Sequence, residues 1–253
     1  MKPSGRPALA AFKRLYSAQA KAATRGEKKN FLLEEAKLSK LSNGVILASM
    51  ESHFPVAQVA VIYNAGPRYE PGNQLGITHC IRNAFSLSNK SSTAFGVARN
   101  IQQIGGNIGC TSTREQMIYT LECLRDDVDT GMKFLGDVAS RQAFMPWELD
   151  AAKQRMKFDY SVLHDNLPAR LMESLHEAAF RGGLEKSLYC PENKIGWHTP
   201  DMLQEFASKY FTSGNMAIVG LGVSHEQLNV CAREMAIQSQ SAPSTPKSHF
   251  IGG

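Results

Sequence analysis

Three positions of one predicted helix, His79, Arg82 and Asn83, have the spacing of a zinc-hydrolase motif. Positions three and four apart share a helix face. A His-x-x-Glu-His motif at this spacing gives zinc two imidazole ligands and a glutamate that activates its water. Here arginine stands at the glutamate position and asparagine at the second histidine position. The first histidine is therefore the one chemical group of the motif that this helix retains.

The guanidinium of Arg82 is the stronger objection to a metal. Arginine stays charged, and at about 4 Å each unit of like charge costs roughly 4 kcal/mol at an effective dielectric near 20. A zinc ion carries two such charges, so Arg82 opposes metal binding. The sequence therefore predicts no catalytic residue, no metal and no cofactor. His79 by itself is expected to be a partly buried structural histidine.

Other residues that could do chemistry are expected to have structural roles. Gly220-x-Gly222 lacks the third glycine and the acidic residue of a dinucleotide fingerprint, so it is predicted to end a strand before a helix. Four further histidines are scattered without ligand spacing. They are His164, His176, His198 and His225.

Turn signals and apolar runs predict the strands that must position these residues. An Asn43-Gly44 dipeptide between residues 38–41 and 45–50 is a strong hairpin signal. Residues 56–65 are almost continuously apolar, which predicts a central strand buried on both faces. Further strands are predicted at residues 107–113, 116–124 and 216–223.

Apolar side chains three and four residues apart, with capping residues ahead of them, predict the helices. Strands and helices occur in groups, which favours an α+β domain, a mostly antiparallel sheet with helices packed on it. The helices are predicted at residues 77–86, from a cap at Ser91, Ser92 or Thr93 to about 104, and at 128–139, 149–163 with a start at Pro146, 168–181, 200–210 and 224–235.

Charge and cysteine usage exclude several classes of protein. The net charge is +5, but four of the positive residues precede residue 17, so a chain trimmed there carries +1 and nucleic acid is not expected as a partner. The five cysteines are odd in number, widely spread and without a Cys-x-x-Cys pair, which favours a reducing compartment and excludes a zinc knuckle. No apolar stretch approaches the roughly 20 residues of a membrane-spanning helix.

The two ends of the chain differ in composition from the middle. Residues 1–26 contain six basic residues and no acid, which is typical of a mitochondrial transit peptide, and a run from Arg14 to Ser17 predicts cleavage after Tyr16. A disordered basic tail is the alternative. Residues 237–253 are rich in Ser and Pro and are predicted to be a linker toward a second domain. The domain between is placed at residues 27–236.

Several segments in combination resemble the pitrilysin-type (inverzincin) metallopeptidase family. They are residues 66–83, 95–115 and 175–180, and the resemblance covers roughly residues 37–235. In active members a later helix supplies a third ligand, a glutamate, and a count without gaps places that position at Asp159. Arg114 and Glu115 lie between two predicted strands, where a charged pair usually marks a solvated turn. The resemblance implies instead that they shape the cleft beside the metal position.

Residues 122–125 and 220–225 make the chain similar, within that family, to the core subunits of the mitochondrial cytochrome bc1 complex, respiratory complex III. The resemblance implies a non-catalytic scaffold subunit on the matrix side of the inner membrane, attached peripherally. Its partners would be core protein 1 and other complex III subunits, with no small-molecule substrate.

Two alternatives to the complex III scaffold remain. One is the presequence-binding, non-catalytic subunit of the mitochondrial processing peptidase, whose glycine-rich loop would lie in a second half. The other is an active zinc metalloendopeptidase with irregular ligands.

Overall fold

A six-stranded sheet lies at the centre of the computed structural model, which describes residues 35–235 and 239–252. The predicted transit peptide, residues 1–16, lies outside the described residues. The strands of this sheet are β1 (Lys37–Lys40), β2 (Ile46–Met50), β3 (Val56–Tyr63), β4 (Asn107–Ser112), β5 (Met117–Leu124) and β7 (Met216–Leu221).

The order of the strands across the sheet is β1-β2-β7-β3-β5-β4. Within it β2 and β7 run parallel, and the other neighbours are antiparallel. The predicted hairpin joins β1 to β2, and Gly44 at its turn has a φ of 96°, a left-handed conformation that glycine adopts without steric cost. The prediction of a mostly antiparallel α+β domain is confirmed.

Several helices pack on one face of the sheet. Buried side chains of that face include Leu47, Val61 and Tyr119. No helix of the described residues is long and apolar enough to cross a membrane. The helices are α1 (Ile77–Asn83), α2 (Ala94–Gln103), α3 (Val128–Ser140), α4 (Pro146–Asp165), α5 (Leu167–Ala179), α6 (Pro200–Tyr210) and α7 (His225–Glu234).

Hydroxyl side chains cap the starts of three helices. The hydroxyls of Thr93, Thr199 and Ser224 accept hydrogen bonds from the third residue beyond them, as N-caps do. Three predicted helix ends are wrong by two or three residues. The helix predicted at 77–86 ends at Asn83, and the one predicted to end at 163 continues to Asp165. The one predicted at 168–181 ends at Ala179 because the next two residues form a strand.

Strand β3 is central, as predicted, because it pairs with β7 on one side and with β5 on the other. The prediction that both faces of β3 are buried is wrong. Val59 and Val61 are at most 2% exposed, whereas Val56, on the opposite face, is 46% exposed. The misleading signal is that Ala60 and Ile62, which also lie on the open face, are apolar.

The position of α1 decides where the motif residues lie. This helix packs against the edge strand β4 on one side and against α4 on the other. Any group on α4 that faces α1 therefore meets the side chains of the motif helix directly. Pro146 at the first position of α4 suits a helix start, as predicted.

The described part of the predicted linker lies along the domain. The amide of Gly214 donates to the Gln240 carbonyl (3.0 Å), and Nε of Arg68 donates to the Pro246 carbonyl (3.0 Å). Farther on, β8 (His249–Phe250) pairs with β6 (Phe180–Arg181) just after α5. That residues 237–253 connect to a second domain, and that the first domain spans residues 27–236, stay predictions.

Candidate functional site

A buried carboxylate holds the start of α1. Glu70, only 3% exposed, accepts hydrogen bonds from the amide nitrogens of Gly76 (2.8 Å) and Thr78 (2.9 Å) and from the Thr78 hydroxyl. Burial raises the pKa of Glu70, and these hydrogen bonds and the Lys186 cation oppose that rise. The carboxylate satisfies amides of the first helical turn, so it fixes the helix that carries the motif.

The structure brings together three of the four candidate residues. Nε2 of His79 lies 3.0 Å from Oδ2 of Asp159, and Nδ2 of Asn83 donates to the same oxygen at 3.0 Å. On the other side of the ring, the amide of Cys190 donates to Nδ1 of His79 (3.1 Å). Because Nδ1 accepts this hydrogen bond, the ring proton is on Nε2, and Nε2 donates a hydrogen bond to Asp159. We call His79, Asn83, Asp159 and the Cys190 amide the polar cluster.

The electrostatics of the polar cluster favour a neutral imidazole next to a carboxylate. Burial, reinforced by the Arg82 cation, lowers the pKa of His79 to about 4, even though Asp159 pulls it upward. Burial alone would raise the pKa of Asp159. The hydrogen bonds from Asn83 and His79 outweigh burial and hold that pKa below its usual range. At neutral pH the imidazole is therefore uncharged and the carboxylate ionised.

Arg82 lies beside the polar cluster and lines an adjoining cleft. Its Nη1 donates to the Ser112 hydroxyl (2.9 Å), and its Cζ lies 5.3 Å from the centre of the Tyr189 ring. The cleft has a volume of about 410 Å³. The guanidinium therefore occupies the position of a water-activating carboxylate and cannot act as a base.

The donor set does not fit a zinc ion. Among the motif positions only His79 and Asp159 offer ligand types that zinc prefers, and catalytic zinc normally takes three protein ligands. Nε2 of His79 bears a proton, and Oδ2 of Asp159 already accepts two hydrogen bonds. Throughout residues 35–235 and 239–252, no group of three or more His, Cys, Asp or Glu side chains could hold a metal ion.

Arg114 and Glu115 have different roles. Arg114 is 11% exposed, forms an ion pair with Glu173 of α5 (2.7 Å), and donates to the Lys186 carbonyl. Glu173 also accepts from the Leu188 amide. Arg114 thus ties the strand turn to α5 and to the segment that carries Tyr189, whereas Glu115 is half-exposed and pairs with Arg68.

Sequence reasoning missed Tyr189 and Cys190. Both lie in residues 182–199, where the structure has turns and one 3-10 helix in place of long helices or strands. Cys190 is 111 positions from His79, and no spacing pattern relates the two. Of the four scattered histidines, His198 is buried and bonds the Leu75 carbonyl, and His225 bridges the hydroxyls of two serines, which are structural roles.

The comparison with solved structures defines the class of fold. The chain matches a crystal structure described as the inactive domain of a peptidase M16 from Pseudomonas fluorescens, with a TM-score of 0.75 and 16% sequence identity. The match covers 84% of this chain and 53% of that chain. The fold is therefore that of an M16 peptidase domain.

The family model for insulinase-type peptidases, peptidase family M16, matches residues 45–192. The chain belongs to this family, and the resemblance inferred from the sequence motifs is confirmed.

Mitochondrial proteins are among the relatives of this chain. Human "Cytochrome b-c1 complex subunit 2, mitochondrial" is 38% identical over 87% of this chain and 49% of its own length, and the rat protein is 37% identical over the same shares. "Probable mitochondrial-processing peptidase subunit alpha-1" of Arabidopsis thaliana is 31% identical over 85% of the chain and 43% of its own length. The narrower resemblance to the core subunits is confirmed. The chain spans about half the length of the curated relatives it matches.

The protonation state of His79 predicts a pH dependence of stability. In the unfolded chain this histidine titrates near 6.5, whereas in the fold its pKa is about 4. Between these values the unfolded state binds more protons, so stability is full above pH 6.5 and falls as the pH drops toward 4, by about 3 kcal/mol in all. Asp159 titrates below this window because its pKa is lowered.

Urea unfolding at a series of pH values between 7 and 4 measures this effect. The control is His79→Gln, whose amide can both accept from Cys190 and donate to Asp159 without titrating. The variant is expected to show a shallower loss of stability across the window. If the free energy of unfolding changed equally with pH in the two proteins, the lowered pKa of His79 would be contradicted.

Proposed function

We propose that the chain is a non-catalytic scaffold subunit of mitochondrial respiratory complex III, which transfers electrons from ubiquinol to cytochrome c. The observation that carries the proposal is the polar cluster, in which hydrogen bonds engage both ring nitrogens of His79 and Oδ2 of Asp159. In addition, Arg82 stands at the motif position of the catalytic carboxylate. The 38% identity to a cytochrome b-c1 complex subunit supports the choice of complex. Its role would be assembly and stability of that complex.

Association is also supported by the open face of the sheet. Five of its apolar side chains are between 36% and 50% exposed, and the cross-strand register places them on one face. The hydrogen-bonded pair Gln58 and Glu122 lies among them, so the face is mixed. Apolar side chains exposed together on one sheet face favour an interaction surface. The exposed set is Ile46, Val56, Leu124, Val219 and Leu221.

The proposal includes a location and partners. Residues 1–16 would direct import and be removed, and the mature protein would lie on the matrix side of the inner membrane, attached peripherally. Core protein 1 and other complex III subunits would be its partners. The proposal includes neither a cofactor nor a small-molecule substrate.

Native gel separation of solubilised mitochondria, followed by identification of co-migrating proteins, is expected to place this chain with cytochrome b and cytochrome c1. The physical reason is the apolar sheet face, which association would remove from water. The isolated chain is expected to be oligomeric or poorly soluble for the same reason. Migration as a small soluble monomer without either cytochrome would contradict the scaffold proposal.

The presequence-binding subunit of the processing peptidase is the second candidate, favoured by the 31% identity to an Arabidopsis subunit alpha-1. Migration with a presequence-cleaving activity and without the cytochromes would support it. An active zinc endopeptidase is the third candidate. One zinc per purified chain, lost on His79→Ala, would support that reading and overturn the non-catalytic one.

A further inference from the structure

In the part of the chain that the structure describes, the hydrogen-bond and ring contacts of the Arg82 guanidinium are with uncharged side chains. Its described hydrogen bond goes to Ser112 Oγ, and its ring contact is with Tyr189. No described carboxylate lies within the 4.0 Å ion-pair distance of it. A guanidinium has several N–H donors in a planar fork, so most of them remain for a ligand.

The cleft that Arg82 lines combines this cation with a hydroxyl and with apolar walls. Ser112 accepts from Arg82, so its own O–H is left to donate to the same ligand. Val162 and Leu188 provide apolar surface beside Tyr189. The volume of about 410 Å³ is within the range of small-ligand sites.

Asp159 also lines the cleft and brings a negative charge to it. Its Oδ2 accepts hydrogen bonds from His79 and Asn83. Arg82 and Asp159 attract each other electrostatically, but they lie farther apart than the 4.0 Å of an ion pair. An anion bound at Arg82 would feel a repulsion from this carboxylate. Binding therefore has to come from the guanidinium and Ser112, with Asp159 acting against it.

We propose that this cleft binds a carboxylate group, held by the fork of Arg82 and by the hydroxyl of Ser112. Arginine and carboxylate form two parallel charge-assisted hydrogen bonds, which no lysine or amide reproduces. The substitution that replaced the glutamate of the zinc motif thus gives the cleft a different ligand preference. The inference goes beyond the scaffold role and is tested on the chain alone, so either can fail without the other.

Saturation-transfer NMR on the methyl group of acetate, with the full 253-residue chain at low ionic strength, measures this binding. The method observes the ligand, so oligomers of the chain do not prevent it. Arg82→Gln is expected to weaken acetate binding about tenfold or more. Asp159→Asn is expected to strengthen it several-fold, because the like charge is removed.

Arg155→Gln is the matched control. Arg155 also donates to a serine hydroxyl (Ser86, 3.2 Å) and lies 5.8 Å from an aromatic ring (Phe85), but it is exposed on α4 and does not line the cleft. This variant has the same charge change, and its acetate affinity is expected to equal that of the native chain. Equal affinities of the native chain and Arg82→Gln would overturn the proposal, as would the absence of saturable acetate binding.

A second set of probes separates the two sources of a carboxylate. Acetylated tri-alanine with a free carboxyl terminus is compared with its amide and with acetate. If the peptide with a free carboxyl terminus binds more tightly than acetate, the ligand is a polypeptide carboxylate, because the rest of the peptide would contact Tyr189, Val162 and Leu188. Equal affinity of peptide acid and acetate would identify a free carboxylate. Equal affinity of the acid and its amide would overturn the carboxylate site.

Discussion

The double substitution Arg82→Glu with Asn83→His is expected to raise the zinc affinity of the chain more than about a hundredfold. It supplies a second imidazole one helical turn from His79 and a carboxylate at the water-activating position, while Asp159 already lies 3.0 Å from Nε2 of His79. It also removes a cation that opposes a divalent ion by roughly 8 kcal/mol at about 4 Å and an effective dielectric near 20.

One hydrogen bond of the present structure acts against this gain. The Cys190 amide donates to Nδ1 of His79, so a metal on Nε2 requires that bond to break and the ring proton to move. Losing a buried hydrogen bond costs about 1–3 kcal/mol. The removed repulsion is larger, so affinity still rises, but the site is expected to bind zinc more weakly than one in which Nδ1 donates to a carbonyl.

Metal analysis and calorimetric titration with buffered zinc measure the result. Arg155→Glu is the matched control for the charge change, because Arg155 is exposed on the neighbouring helix and lies outside the cleft. The single substitutions are expected to give intermediate affinities. Adding His79→Ala to the double variant should abolish the gain. A double variant that binds zinc no better than the native chain would show that charge and ligand identity do not limit metal binding here.

Helical spacing accounts for the part of the site that the sequence predicts. His79 and Asn83 are four residues apart on α1, whereas Asp159 on α4 is implied only by the resemblance to active members of the family. The structure joins these three residues by hydrogen bonds at 3.0 Å. Such contacts are predictable because regular helices fix which side chains share a face. Packing of α1 against α4 then brings the two faces together.

The other half of the site depends on irregular backbone, which periodicity does not describe. Cys190 and Tyr189 reach His79 and Arg82 from a segment without long helices or strands. Similarly, the apolar run of β3 does not distinguish a strand covered on both faces from one whose second face is partly exposed. Both errors arise where tertiary contacts, and not local spacing, decide the environment of a side chain.

Gly76→Ala is expected to destabilise the domain by about 4 kcal/mol. Gly76 precedes α1 with a φ of 85°, a conformation that costs a non-glycine residue about 1–2 kcal/mol. In addition, the new Cβ would lie 2.5 Å from both Cα and Cβ of Cys190, so the backbone of the opposite segment must move. Overpacking of this kind costs about 1–3 kcal/mol more.

Gly105→Ala is the control that isolates the contact with Cys190. Gly105 also has a left-handed φ, 64°, but nothing lies within 4 Å of an added Cβ, so only the conformational cost of about 1–2 kcal/mol is expected. Urea unfolding of both variants measures the difference. If Gly76→Ala displaces Cys190, the amide bond to Nδ1 is lost and His79 gains water, so NMR titration should show the pKa of His79 rising from about 4 toward its usual range. Equal destabilisation by the two substitutions, with the pKa of His79 unchanged, would mean that the segment around Cys190 yields without cost and does not hold the imidazole in place.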